Sequence, residues 1–214
     1  MAVYNDEISQ YVGDVFARQD ETLAQVRAMI PQKGLPAIYI QPEEGRFLQV
    51  LVRACNAVRA LEIGSLGGYS GIWIARGLAP GGKLITLEKD PYHAKVAREH
   101  LSQAGLGDKV EVRQGDAHVL LGTLSMEGPF DFIFIDAEKP GYSDYLDWAV
   151  ANTRLGGVIA AHNAFQQGGV AHPMPTDTAA MMDAFNRKAA ADPRLLSTIF
   201  PAGDGTLVAV KVSG

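Results

Sequence analysis

The segment Phe130-Asp131-Phe132-Ile133-Phe134-Ile135 constrains the fold of this chain more than any other. Successive strand side chains point to opposite faces of a sheet, so a run that is apolar at odd and even positions alike needs cover on both faces. The surrounding pattern supplies that cover. From residue 58 onward, short apolar runs over 58–63, 83–87, 110–113, 130–135 and 158–161 alternate with helical stretches. The helices are one through Ile72-Trp73-Ile74 and others over 91–104, 117–124 and 142–152. Turn signals separate the runs at Pro80-Gly81-Gly82, Gly105-Leu106-Gly107-Asp108, Gly128-Pro129 and Gly156-Gly157. Strands alternating with helices define an α/β fold with a parallel sheet and helices on both faces. A helix over 176–191 follows, then strands over 195–200 and 206–212 joined only by Pro201-Ala202-Gly203-Asp204-Gly205. That link is too short for a crossover helix, so the last two strands are expected to form an antiparallel hairpin.

Upstream, 6–30 reads as helical, with Ile8, Tyr11, Val12, Val15 and Phe16 on one apolar face and Leu23, Val26 and Ile30 on another. Pro31 and Pro36 mark 31–41 as a connecting loop, and Pro42-Glu43-Glu44 opens a helix, since Pro and carboxylates suit a helix N-terminus. That helix carries Phe47, Leu48, Leu51, Val52 and Cys55 on its apolar face, with Cys55 read as a small core residue. At 214 residues, a single domain over 1–214 is expected, with a helical segment over 1–41 leading into a core over 42–214.

Composition excludes several classes of function. Nineteen Lys and Arg against 24 Asp and Glu give a net charge of -5 with no basic cluster, which argues against nucleic acid as a partner. No apolar run reaches the ~18 residues of a membrane span. The start, Met1-Ala2-Val3-Tyr4-Asn5-Asp6-Glu7, has no basic segment or apolar core of a signal peptide, so a cytoplasmic location is expected. A single cysteine rules out an internal disulfide and any multi-cysteine metal site.

Ligands of open α/β sheets bind at the carboxyl ends of the strands. Those ends carry Glu62-Ile63-Gly64-Ser65-Leu66-Gly67-Gly68-Tyr69-Ser70, Glu88-Lys89-Asp90, Gly115-Asp116-Ala117, Asp136-Ala137-Glu138-Lys139 and His162-Asn163. The first run is G-x-x-G-G rather than the G-x-G-x-x-G that cradles a pyrophosphate, and Glu62 beside it would repel one. A carboxylate there suits a ligand with positive charge and no phosphate, such as S-adenosylmethionine, and speaks against a nicotinamide dinucleotide. Glu88 is placed to accept the two ribose hydroxyls. Asp116 reads equally as an adenine contact and as a cap of the helix that begins at Ala117.

The run Leu61–Ser70 resembles the first motif of the S-adenosylmethionine-dependent O-methyltransferases of the caffeoyl-CoA and catechol type. The resemblance continues through Phe130–Lys139, Tyr142, Tyr145, Gly156-Gly157-Val158-Ile159 and Gly203-Asp204-Gly205, so that it spans residues 44–212. It implies the Rossmann-like class I methyltransferase fold, a seven-stranded, mostly parallel sheet with an antiparallel C-terminal strand, and a homodimer. It further implies donor contacts from Ile40, Glu62, Gly64, Ser65, Gly68, Ser70, Glu88, Lys89, Asp116, Ala117, Asp136 and Tyr145. Lys139 stands where catechol-type enzymes keep their general base. In such enzymes two Asp and one Asn hold a Mg²⁺ ion that activates the acceptor hydroxyl.

Here the second of those carboxylates is replaced, because the pair at the fifth strand reads His162-Asn163. Three readings stay open at this level. Asp136, His162 and Asn163 could hold a softer ion such as Mn²⁺ or Zn²⁺. The site could work without a metal, with His162 as base or, protonated, as a stand-in for the cation. Or the chain could bind the donor without transferring its methyl group. The expected reaction is methylation of a small hydroxylated aromatic, the alternative acceptor being a hydroxylated uridine in tRNA. Gln166 stands where plant relatives carry an aromatic residue, which argues against caffeoyl-CoA itself. His93, His100, His118 and His172 read as surface residues, and Trp73 and Trp148 as core.

Overall fold

β4 (Phe130–Ile135) lies at the centre of a seven-stranded sheet and divides its side chains between two cores. Phe132 and Phe134 enter one apolar cluster, and Phe130, Ile133 and Ile135 the other. Phe130, at the start of the strand where the pairing with a neighbouring strand shifts register, joins the odd-numbered side. The computed structural model describes residues 4–174 and 177–214. Its other strands are β1 (Arg59–Ile63), β2 (Lys83–Glu88), β3 (Val110–Gln114), β5 (Thr153–Ala161), β6 (Leu195–Phe200) and β7 (Thr206–Lys211). The sheet order is β3-β2-β1-β4-β5-β7-β6. Neighbours among β1–β5 pair parallel, and β7 runs antiparallel to both β5 and β6, as the short hairpin link requires.

Three helices, α2 (Glu21–Gln32), α3 (Pro42–Ala54) and α4 (Tyr69–Gly77), pack with α5 (Pro91–Gln103) on one face. On the other lie α6 (Ala117–Leu124), α7 (Tyr142–Asn152) and α8 (Thr178–Ala191). A remaining helix, α1 (Asp6–Phe16), has no buried residue. Among the described residues no helix is long and apolar enough to cross a membrane.

Several expectations need correction. The stretch over 6–30 is two helices, because Asp20 accepts from the Leu23 amide at 3.0 Å and starts α2 anew. The face of Ile8, Tyr11, Val15 and Phe16 stays exposed. Pro31 sits inside the last turn of α2 rather than ending it, so the loop begins later. Gly156-Gly157 lies within β5, which starts at Thr153. α8 begins at Thr178, capped by Asp177, and the expected first residue Thr176 is outside the described residues. His100 is fully buried, with Nδ1 2.8 Å from the Gly67 carbonyl oxygen. Trp73 is core as expected, whereas Trp148 is half-buried and donates to Ser125 Oγ at 2.9 Å.

The strand order reverses direction between β1 and β4, whose carboxyl ends open the crevice where ligands of such sheets bind. Gly64 leaves β1 there at φ 98°, and a Cβ on it would collide with the Asp136 carbonyl oxygen. Only glycine lets the two loops approach this closely.

Candidate active site

A cavity of about 620 Å³ fills the crevice, within the usual range for a small-molecule site. Most of the residues expected to contact a donor reach its wall: Ile40, Gly64, Ser65, Ser70, Glu88, Lys89, Asp116, Ala117, Asp136 and Tyr145. Glu62 and Gly68 do not. Glu62 is a residue of β1 rather than of the loop, is fully buried, and accepts from Ser70 Oγ and Thr86 Oγ1 at 2.6 Å each. Burial raises its carboxyl from 4.5 to about 7, against the lowering effect of those two hydroxyls. It therefore reaches the cavity only through Ser70. Gly68, at φ 80°, is the N-cap of α4, and Gly67 takes its place on the wall.

Glu88 is fixed from both sides, its Oε2 accepting from the Leu66 amide at 2.7 Å and its Oε1 from the Asp90 amide at 2.9 Å. Of the two readings of Asp116, the helix cap is seen directly. Asp116 accepts from the His118 amide at 2.9 Å, pairs with Lys89 at 2.8 Å, and still lines the cavity. Tyr145 donates to Glu138 and stacks near the His118 ring. His93 lines the cavity rather than the surface. The Ser65 hydroxyl is buried with no partner among the described residues. A buried hydroxyl left open at a cavity wall is a seat for a polar ligand atom.

At the β4–β5 end lies a cluster of charges. Lys139 begins a short 3-10 turn, Lys139–Gly141, and turns inward rather than pairing with Glu138 or Asp144. Its Nζ donates to Asn163 Oδ1 at 2.9 Å, to Tyr142 Oη at 2.7 Å and to the Ala137 carbonyl at 3.2 Å, and stands 3.7 Å from Asp136 Oδ1. Burial pushes its ammonium below the ordinary value, against the opposing pull of Asp136 and Asp204. Asn163, in the left-handed region at φ 57°, donates through Nδ2 to Asp204 Oδ2 at 3.1 Å. Its amide is thus aimed, oxygen toward Lys139.

His162 sits between two carboxylates. Nε2 lies 2.9 Å from Glu44 Oε1 and Nδ1 3.3 Å from Asp136 Oδ2. Burial alone would lower its pKa, but Asp136 and Glu44 outweigh that and carry it up to about 10. Burial likewise would raise the Asp136 carboxyl, yet the charges of His162 and Lys139 hold it below the ordinary value. The Nε2 bond to Glu44 and the approach of Nδ1 to Asp136 fix the ring in place at the β4–β5 end of the crevice. Glu44 and Asp204 were given no role at the site by sequence, although Asp204 stands in the Gly203-Asp204-Gly205 motif. Pro42-Glu43-Glu44 read only as a helix start, and Glu44 Oε2 does accept from the Gln41 amide at 2.8 Å. Its other oxygen reaches the site because that helix start points there.

The residues present do not fit a divalent cation. The position of the missing carboxylate carries an imidazole whose Nε2 is engaged by Glu44, and the remaining carboxylate and amide oxygens both face Lys139 Nζ. Among the described residues no group of three or more His, Cys, Asp or Glu is arranged to hold a metal ion.

A second cavity of about 1240 Å³ adjoins the first and shares Ile38, Tyr39, Asn163, Gln167 and Asp204 with it. α1, the start of α3 and the β6–β7 link contribute to its walls, which carry Asp6, Asp14, Glu43, Glu44 and Asp204 against Arg18 and Arg27.

With this geometry in hand, the comparisons with known proteins agree. The O-methyltransferase family model matches residues 13–212. A catechol O-methyltransferase of Niastella koreensis is 42% identical over 176 residues, covering 81% of this chain and 80% of the relative. The O-methyltransferase of Bacillus cereus, solved in complex with SAH, superposes with a TM-score of 0.90 at 40% identity, over 96% of this chain and 97% of that one. TomG of Streptomyces achromogenes, an O-methyltransferase of tomaymycin synthesis solved with SAM, superposes at 0.87 and 32% identity, over 97% and 96%. Fold and crevice define a class I methyltransferase. The chain belongs to the O-methyltransferase family and is an S-adenosylmethionine-dependent enzyme of that kind.

Proposed function

We propose that the protein moves the methyl group of S-adenosylmethionine to a hydroxyl of a small, catechol-like aromatic, with Lys139 as the proton acceptor. The observation that carries this reading is the inward Lys139, on the donor cavity wall and bonded to Asn163, which lines both cavities. In this reading the donor lies in the smaller cavity and the acceptor enters from the larger. Glu88 takes the ribose hydroxyls, Asp116 and Ala117 border the adenine, and Gly64, Ser65 and Ser70 border the methionine part.

Methyl transfer is an in-line displacement, so the enzyme supplies alignment and an ionised oxygen. The acceptor hydroxyl gives its proton to the Lys139 amine, the oxygen takes the methyl from the sulfonium, and the sulfonium electron pair returns to sulfur. Burial favours the amine form that this step needs. Turnover is therefore expected to rise with pH and level off below the ordinary lysine value of 10.5.

The carboxylates around the larger cavity favour a small acceptor over a thioester of coenzyme A or a tRNA, whose phosphates they would repel. The exposed apolar face of α1 supports a homodimer, its natural cover being a second copy of the chain. Treating residues 1–41 and 42–214 as one working unit is part of the same reading, since α1 and α3 wall one cavity. The test is Lys139→Met, assayed with catechol and by donor calorimetry. Expected is a rate loss of about 10²–10⁴ with donor affinity kept. Unchanged turnover removes Lys139 from the mechanism. Donor binding without transfer to any catechol by the wild type would favour a donor-binding protein, and transfer to hydroxyuridine in tRNA the alternative acceptor.

A further inference from the structure

We infer that His100 is a positioning residue for the methyl donor. Its imidazole, donating from Nδ1 to the Gly67 carbonyl, holds the turn over 65–68 in the form that seats S-adenosylmethionine. This role concerns donor binding and stands whatever the acceptor is.

The turn needs support to keep its shape. The Gly68 amide donates to the Ser65 carbonyl at 2.8 Å, and Leu66 between them stands in the left-handed region at φ 47°. A residue with a branched side chain is strained there, and such strain persists only where the surroundings over-determine it. Two side chains grip the turn. Glu88 Oε2 accepts from the Leu66 amide at 2.7 Å, and His100, on α5, meets the Gly67 carbonyl at 2.8 Å. Ile30 of α2 closes the remaining side, so near that a Cβ on Gly67 would fall 2.6 Å from its Cγ1. Ser65, Leu66 and Gly67 all line the donor cavity, so the shape of the turn is the shape of the cavity wall.

Hydrogen-bond chemistry fixes the state of the ring. A carbonyl oxygen only accepts, so Nδ1 bears a proton. Nε2 is buried and has no partner among the described residues. A second proton there would bury a charge with no acceptor, and burial holds the ring below its ordinary value of 6.5. His100 is therefore the neutral Nδ1–H tautomer. An orphaned buried nitrogen is unfavourable, and a leucine would fill a site 0% exposed without one. Packing alone does not account for the imidazole, whereas its bond to the turn does. The helix that carries it is itself anchored, because Lys33 pairs with Glu99 at 2.7 Å and Tyr92 Oη donates to the Lys33 carbonyl at 2.9 Å. These contacts tie the end of α2 to α5 around the turn. A donor meeting a turn already formed does not have to order it, so the gain falls on donor affinity.

The experiment compares wild type, His100→Leu and His100→Asn, the last because its amide nitrogen can stand in for Nδ1. Calorimetry with S-adenosylmethionine is expected to show donor binding weakened about 5–100-fold in His100→Leu, the range for one lost hydrogen bond that leaves a buried carbonyl open. His100→Asn is expected to recover most of that affinity. With catechol as acceptor, the KM for the donor should rise in His100→Leu while kcat at saturating donor stays at the wild-type value. Unchanged donor affinity in His100→Leu overturns the inference, as does an equal loss in His100→Asn or a fall confined to kcat. Should His100→Leu not fold, ¹⁵N NMR of the wild-type imidazoles, assigned with His100→Asn, decides the point. A protonated Nδ1 whose resonance shifts when S-adenosylhomocysteine binds supports the role. A protonated Nε2, or a resonance that the ligand leaves unmoved, overturns it. Calorimetry and NMR need no acceptor, so failure of the catechol reading would be seen separately.

Discussion

Glu62 shows at the scale of one residue how burial changes the meaning of a carboxylate. The folded state holds its proton up to about pH 7, whereas the unfolded chain releases it near 4.5. A folded state that binds more protons loses stability as pH rises, so Glu62 costs stability through the window from 4.5 to 7 and keeps costing it above. Glu62→Gln keeps an acceptor and a donor for Ser70 and Thr86 but carries no charge. Urea unfolding should find the variant more stable than wild type by about 1–3 kcal/mol at pH 8, at ~1.4 kcal/mol per unit, with the gap closing toward pH 5. A variant less stable at pH 8 would contradict this. The same residue measures how far sequence could see. Its carboxylate was legible, and so was its place beside the donor loop, but strand pairing with Thr86 decides that it looks sideways into the sheet. The partners of Glu44, Asp204 and His100 were not legible. Each acquires its role from a segment distant along the chain: Glu44 from His162, Asp204 from Asn163, His100 from Gly67.

Among the elements, the strands and the helices flanking them were readable because their signals are local. α6, β4, α7 and β6 begin and end where apolar periodicity and turn residues place them. The errors cluster where a local signal met a stronger neighbour. Pro31 continues α2 through its last turn, and Gly156-Gly157 lies in an irregular stretch of β5 between Thr153 and Val158, both of which pair with β4. β4 itself supports a quantitative test. Phe134 is fully buried among α2–α5 on one side of the sheet, so Phe134→Ala should cost about 3–5 kcal/mol in urea unfolding. A loss under about 1 kcal/mol would mean that this core repacks freely. Its Ile133 and Ile135 neighbours face the opposite cluster, so their truncation should add nearly independently to that of Phe134.

For the whole molecule, the α1 face is the feature whose outcome is cheapest to read. Tyr11 and Phe16 are 59% and 62% exposed, on a helix that buries no residue within its own chain. If a second copy covers them, sedimentation should show a dimer for the wild type and a monomer for the double variant Tyr11→Glu with Phe16→Glu. A wild-type monomer would refute the pairing. The parallel sheet and its closing hairpin were legible as a whole, since the link 201–205 allows only an antiparallel return. The order in which those strands take their places has a consequence for synthesis. β6 is made before β7, yet β7 lies between it and β5. A nascent chain that has emerged as far as β6 therefore has nowhere to put it, and the apolar edge of β5 stays open until β7 follows. Translation thus delivers the site late, because Asp204 and Gly203 come from the link that only the finished hairpin holds in place.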